Sequence, residues 1–475
     1  MKTVQSLFKN IKSYSKYQSI LVIIILSLAQ LMISLDFSIV NVALPSIQAQ
    51  FHLTPTSLQW VVSAYALTFG SFLLLGGRLS DIFNRKRIFL IGLIVFSIAS
   101  LMGGLAPSPI IVFISRAIQG LGAAMLAPTA LSLITTTFPE GNQRNFALSI
   151  FTAMAAIGFT TGVTLGGILT QFLTWHWAFF INVPLGIFTS IIGLLIIPNT
   201  IKNHLRGSFD VTGAVLIATA LLILIYAITQ ISTPDESIYE IIILFGISLV
   251  LVVSFLFVEH RACQPLVPFD IFQHKNIILS NVIMLLAFGA IAGFVFLVTL
   301  LLQEGIGYSA LQTGLIFIPA GIGAITGSIL TPRILKRIDF SKIMVLGLII
   351  FCLCIIGIAK FGTFDSIVIF MIMSYFAFLG ISSVMISLNI AGTTGVEVRQ
   401  QGLAAGLITT SQWIGGAIGV SMVSVVAALL FLSVGNNSLT RIEIYMYSMI
   451  ISIILVIIAT LLALYLTLRR LSKKN

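Results

Sequence analysis

The residue that most constrains the chemistry of this chain is Asp36, in the stretch Ser34-Leu35-Asp36-Phe37-Ser38-Ile39-Val40-Asn41-Val42-Ala43-Leu44-Pro45. Of the 14 acidic residues it alone lies well inside a long apolar run, since Glu304 falls at the end of one, within reach of water. A carboxylate held in hydrocarbon costs about 2.5–3.5 kcal/mol on the insertion scale, so such a group reads as functional by default. The chemistry open to it is uptake and release of a proton; the plainer alternative is a structural hydrogen bond to the next helix. Depth supplies a partner. Asp36 stands about 17 residues from the start of its run and Arg116 about 7 residues into a run entering from the other side, so they lie roughly 25 Å and 10 Å deep at 1.5 Å per residue. Across a core of about 30 Å these depths nearly coincide. A positive neighbour favours an ionised carboxylate and burial opposes it, a competition that suits a group whose proton follows solvent access. A static ion pair locking two helices has the same signature. Gln119 and Gly120 follow Arg116 on the same helix.

Further groups are set by spacing. Gly76-Gly77-Arg78-Leu79-Ser80-Asp81-Ile82-Phe83-Asn84-Arg85-Lys86-Arg87 places one acid among four basic residues in a polar loop. Asp81 there suits a helix cap and a charge contact across the molecule, and Asn84 suits a tight turn; a plain topogenic loop would look similar. Gly158, Gly162 and Gly166, with Gly167 beside them, repeat at four-residue spacing, which serves close helix packing or a gating hinge. Trp175-His176-Trp177 opens another apolar run where an aromatic belt is expected, and His176 reads as a surface residue. Cys352 and Cys354 sit in an apolar run as small hydrophobes; with Cys263 they offer no disulfide or metal framework.

The elements that position these groups follow from composition. The 475 residues are 58% hydrophobic and 8% charged, about a third of the charge of a soluble domain. Mean hydropathy is +1.12. No soluble interior hides so much apolar surface, which excludes a soluble enzyme, a nucleic-acid binder and a disordered regulator. A helix crosses a bilayer with roughly 20 apolar residues. Runs of that size lie at 19–43, 57–77, 88–106, 109–133, 146–170, 176–197, 210–230, 238–258, 277–303, 310–332, 342–360, 364–390, 402–432 and 444–468. These fourteen predict an all-α polytopic membrane protein, although 210–230 and 238–258 also fit one re-entrant hairpin. The first run is too long for a signal-peptide core and is expected to stay as a helix. Of the 25 Lys and Arg residues, all but Lys360, Arg441 and Arg116 then fall on one side of the membrane. By the positive-inside rule that side, with both termini, is cytoplasmic. The net charge of +11 is mostly this asymmetry, with attraction to anionic lipid secondary.

Shifting the chain by 255 residues aligns its halves: Arg78 meets Arg333, Arg87 meets Lys342, Gly92 meets Gly347 and Arg144 meets Arg399. Two six-helix bundles with two inserted helices follow, with domains at residues 1–200, 201–275 and 276–475. Such repeats are a transporter architecture with the site at their interface. Asp36 falls on Ile291 and Arg116 on Met371, so whatever these charges do belongs to one half.

At these residues the chain resembles the major facilitator superfamily, specifically its 14-helix drug:proton antiporters of bacteria. Residues 35–45 resemble that family's first-helix motif LDxTIVNVALP, and residues 77–87 its loop motif G-x-L-x-D-x-x-G-R-K-R with Asn84 at the second Gly. Arg116-Ala117-Ile118-Gln119-Gly120 resembles the fourth-helix motif, and residues 175–186, with Asn182 and Pro184, the sixth-helix signature. The fifth-helix antiporter motif G-x-x-x-G-P-x-x-G-G is departed from at Val163, where Pro is expected, and the thirteenth helix carries Gln412 where some relatives have an acid. The resemblance implies a plasma-membrane exporter of hydrophobic or cationic small molecules, driven by protons through Asp36 and Arg116 and working as a monomer without cofactor, metal or nucleic acid. It places Asn41, Gln119, Asn182 and Gln412 in the substrate cavity. It gives gating to Gly77, Arg78, Asp81, Arg85, Lys86 and Arg87 and to the glycines at 158, 162, 166 and 167. Selective export of one antibiotic or metabolite without proton coupling is the alternative, followed by a channel or a non-transporting subunit.

Overall fold

The computed structural model describes residues 16–138, 142–197, 211–231, 237–262, 265, 271, 275–361, 367–394, 400–433 and 441–472. Among them the regular elements are all helical. The first six long helices are α1 (Lys16–Phe51), α2 (Trp60–Ile82), α3 (Arg85–Gly104), α4 (Pro109–Thr137), α5 (Asn142–Phe172) and α6 (Asn182–Ile196). Next come α7 (Val211–Gln230) and α8 (Ile238–Arg261). The last six are α9 (Lys275–Leu300), α10 (Ile318–Ile334), α11 (Phe340–Phe361), α12 (Ile367–Thr393), α13 (Gln401–Ser433) and α14 (Ile450–Ser472). One-turn or two-turn helices lead into α2, α6, α10 and α14. Fourteen segments among the described residues are long and apolar enough to cross a membrane. Fourteen crossings would put Lys16 and Ser472, the first and last described residues, on one face, here called the face of the termini.

Several local features differ from the sequence expectation. α1 runs through Pro45 to Phe51, past the expected end at 43. In a bilayer, neighbouring helices can re-satisfy the backbone that a proline frees. α7 and α8 have 20 and 24 residues, about 30 and 36 Å at 1.5 Å per residue, so each spans by itself and no re-entrant hairpin forms. The cap of α3 is Asn84, whose side chain accepts from the Arg87 N–H at 3.4 Å. Its backbone is extended rather than left-handed. Asp81 lies in the last turn of α2 and so caps no helix start; its side chain lies outside the described residues, as do Cys263 and Arg399. Trp175 is buried and donates its Nε1–H to Gln50 at 2.6 Å, so Trp177, which is exposed, alone of the pair suits a belt. His176 stacks on Trp175 at 3.9 Å, and burial pushes its imidazole below the ordinary value.

Packing repeats in the two halves. α1 packs on α5, α2 on α4 and α3 on α4 in the first bundle; α9 packs on α13, α10 on α12 and α11 on α12 in the second. These are the same pairs under the 255-residue shift. α8 packs chiefly on α7, which in turn touches α2 and α13, one helix from each bundle. Burial shows where the bundles join. Leu35 to Ile47 of α1 and Leu58, Val61 and Val62 share one apolar core with Phe294 to Leu302 of the second bundle. Much of the rest of the first bundle has a separate core, entered from the second bundle by Trp413 and Ala417. The joined region lies toward the face opposite the termini. There Gln303 Nε2 donates to Val42 O of α1 at 3.0 Å, and Ser63 Oγ to Ala417 O at 3.2 Å.

Candidate functional site

Asp36 lies fully buried in α1, and the structure brings four helices to it. From α4, Arg116 Nη1 donates to Asp36 Oδ2 at 2.5 Å, so the depth argument places the pair in direct contact. Gln119, one turn further along α4, donates from Nε2 to Asp36 Oδ1 at 3.0 Å. Asn182, at the start of α6, donates from Nδ2 to the same oxygen at 2.8 Å. A second layer holds these donors in place. Arg116 Nε donates to Val61 O at 2.8 Å and Arg116 Nη1 to Gln119 Oε1 at 2.8 Å. Gln119 Nε2 also donates to Ser100 Oγ of α3 at 2.7 Å. The three groups that meet Asp36 are all N–H donors. Desolvating an ion pair is costly unless further hydrogen bonds complete it, and here they do.

The pair also touches the second bundle through aromatic rings. The Arg116 guanidinium carbon lies 4.3 Å from the centroid of the Tyr65 ring, a cation–π contact. Tyr65 meets Trp413 of α13 edge-on at 5.7 Å, and Phe69 and Phe37 approach the same indole at 4.6 and 5.2 Å. Phe288 of α9 completes the group at 5.7 Å. The charge of Asp36 on α1 is thus three contacts away from a ring on the other bundle, through Arg116 and Tyr65. Sequence reasoning missed Ser100, Tyr65 and Trp413. A Tyr or Trp within an apolar run is visible, but which helix it faces is not.

The glycines of α5 form the seam behind Asp36. A Cβ at Gly158 would lie 2.7 Å from Leu31 O, and one at Gly166 2.9 Å from Ile39 O. At Gly162 it would run into Ser38 Oγ and lie 2.7 Å from Leu35 O. Gly167 faces the other bundle instead, where a Cβ would meet Ala310 O at 2.7 Å. α5 is continuous through all four. Gly162→Val is therefore expected to destabilise the protein by about 1–3 kcal/mol, the usual range for overpacking. Gly246→Val on α8, where an added Cβ would meet no packed neighbour among the described residues, should leave the melting temperature in detergent unchanged. Equal melting of the two variants would show that the seam is loose.

The sequence profile of the Major Facilitator Superfamily matches residues 26–420. The chain belongs to the major facilitator superfamily. Among its relatives, the cephamycin export protein CmcT of Amycolatopsis lactamdurans is 35% identical over 404 residues, 83% of this chain and 82% of the relative. The multidrug resistance protein Stp of Mycobacterium tuberculosis is 31% identical over 414 residues, 86% and 76% of the two chains. The same fold occurs in a bacterial homologue of the human lysosomal transporter Spinster, in its inward-facing and occupied conformation. That match has a TM-score of 0.69 at 16% identity and covers 95% of this chain and 97% of the other. This member of the superfamily is a multi-pass membrane transporter, not an enzyme. Its remaining site residues are placed as follows. Asn41 is buried and donates to Phe37 O of its own helix at 2.7 Å. Gln119 and Asn182 are fully buried around Asp36, so in this conformation none of these three lines an open cavity; only Gln412 is half-buried. The expected polar loop at 76–87 is mostly helical, with Gly77, Arg78 and Asp81 in α2, Arg85, Lys86 and Arg87 in the first turn of α3, and Phe83 and Asn84 between them. Lys86 Nζ donates to Leu194 O of α6 at 2.6 Å, a contact within the first bundle. Gly77 packs near Pro128 of α4.

Proposed function

We propose that this transporter exports hydrophobic or amphipathic, including cationic, compounds across the cytoplasmic membrane in exchange for protons carried by Asp36. The observation that carries the reading is the fully buried Asp36–Arg116 pair with Gln119 and Asn182 closing around it. A single carboxylate that must lose its proton to hold Arg116, and regain it to release Arg116, has two states of different charge. The aromatic cluster around Trp413 gives those states a route to the contact between bundles. Residues 1–200 and 276–475 rock against each other, with 201–275 as an added hairpin beside α2 and α13. Both termini face the cytoplasm, and the contacts of Gln303 with Val42 and of Ser63 with Ala417 support closure of the bundles toward the outside, while Leu74 and Leu403 also pack on one small core toward the cytoplasmic side. Gly77, Arg78 and Asp81 at the end of α2 and Arg85, Lys86 and Arg87 at the start of α3 steady one of the two states. The carrier works as a monomer in lipid.

The test is efflux of a panel of cationic and neutral dyes from vesicles with the pH gradient imposed or collapsed. Gradient-dependent export of several dyes supports the reading; flux indifferent to the gradient overturns it. A second reading, selective export of one antibiotic, is favoured by the name of CmcT, and export of a single compound from the panel would select it.

Orientation has its own expected result. In a Cys-free background, single cysteines at exposed Leu173 and Ser237 should react with an impermeant reagent added outside cells. One at exposed Lys336 should react only after permeabilisation. The reverse pattern would invert the topology.

A further inference from the structure

Within the Asp36 network two buried side-chain atoms, Tyr65 Oη and Asn182 Oδ1, have no hydrogen-bond partner among the described residues, and of these two residues it is Asn182 that bonds to Asp36. Asn182 is fully buried, and its Nδ2 donates to Asp36 while its Oδ1 meets no donor. A buried unpaired acceptor is uncommon in a folded interior and calls for a reason. The neighbouring groups supply one. Among the described residues Asp36 is met only by N–H donors, from Arg116, Gln119 and Asn182. That arrangement serves a carboxylate and conflicts with a carboxylic acid, whose O–H needs an acceptor. Arg116 has no acceptor to offer. Gln119 has one, but its Oε1 already holds Arg116, so turning its amide would set N–H against N–H there, and keeping Ser100 would require that hydroxyl to leave Phe96 O. Asn182 alone can turn without losing a contact to any group other than Asp36.

We propose that Asn182 is the positioning residue that accommodates the protonated state of Asp36 by rotating its side-chain amide half a turn. The inference rests on Asp36 as the proton carrier. When a proton binds Asp36 Oδ1, the new O–H donates to Asn182 Oδ1, which has turned into the place of Nδ2. The Nδ2 group then occupies the position Oδ1 left. One unpartnered polar atom is exchanged for another, so the protonated site carries no additional orphan. On deprotonation the amide turns back and Nδ2 again donates to the carboxylate. No bond other than the O–H of Asp36 forms or breaks.

Infrared difference spectroscopy between high and low pH on the purified protein in lipid tests this. The wild type should show a protonated-carboxyl band that is absent in Asp36→Asn. With asparagine labelled at the side-chain carbonyl, an amide band should change in the same titration. In Asn182→Leu that amide change should vanish and the carboxyl band should move to higher wavenumber, because its O–H has lost its acceptor. Asn182→Ser, which keeps an acceptor, should move it back. A carboxyl band that depends on Asp36 but is unmoved in Asn182→Leu, with no labelled-amide change in the wild type, overturns the role of Asn182 and leaves Asp36 as the carrier. Should Asn182→Leu not fold, the labelled wild type still decides. No band dependent on Asp36 overturns the carrier reading itself, and this inference with it.

Discussion

Arg116→Gln is expected to destabilise the folded protein by about 3–5 kcal/mol at neutral pH, because breaking a buried pair leaves an uncompensated charge. Arg116 gives one hydrogen bond to Asp36, one to Val61 O and one to Gln119, and rests on the Tyr65 ring. Glutamine replaces none of the charge. The loss should be largely recovered in the double variant Asp36→Asn with Arg116→Gln, which removes both charges. Thermal unfolding in detergent of the two single variants and the double reads these differences. A single variant as stable as the wild type, or a double variant that is worse, would show that the pair does not hold α1 to α4.

The second large effect is on transport. Asp36→Asn keeps the size of the side chain and removes the proton site, so the variant resembles a carrier fixed in the protonated state. A proton moving down 100 mV supplies about 2.3 kcal/mol, which sustains roughly a 50-fold gradient of an uncharged substrate exchanged one for one. In Asp36→Asn that gradient should collapse to none. Binding of neutral substrate should persist, because the packing around residue 36 is preserved, while cationic substrate should bind more weakly. Steady-state accumulation in energised vesicles, with expression checked, measures both. Retained accumulation would move the proton route elsewhere.

Asp36 and Arg116 were legible because a charge within an apolar run has few reasons to be there, and helical rise converts their positions into depth. The fourteen spans and the repeat were legible for the same kind of reason, since run length and the basic loops are one-dimensional signals. Asn182 and Gln119 were visible as polar residues but were expected on a cavity wall. That they close on Asp36 depends on how α4 and α6 rotate about their axes, and that is set by packing. The clearest case is Trp413. No property of its own segment says that it crosses to Phe37, Tyr65 and Phe69 of the other bundle. The glycines at 158, 162 and 166 were read as packing or hinge; their contacts with α1 favour packing, because a Cβ at each would meet the backbone of Leu31, Leu35 or Ile39.

Proton movement in answer to substrate movement bears most directly on the account. Proteoliposomes would be loaded with substrate and a trapped pH-sensitive dye, then diluted into substrate-free buffer at the same pH. Downhill substrate efflux through the wild type should draw protons in and acidify the interior, and Asp36→Asn should give no acidification. Substrate efflux through the wild type at constant internal pH, or equal acidification by Asp36→Asn, would contradict proton exchange at Asp36.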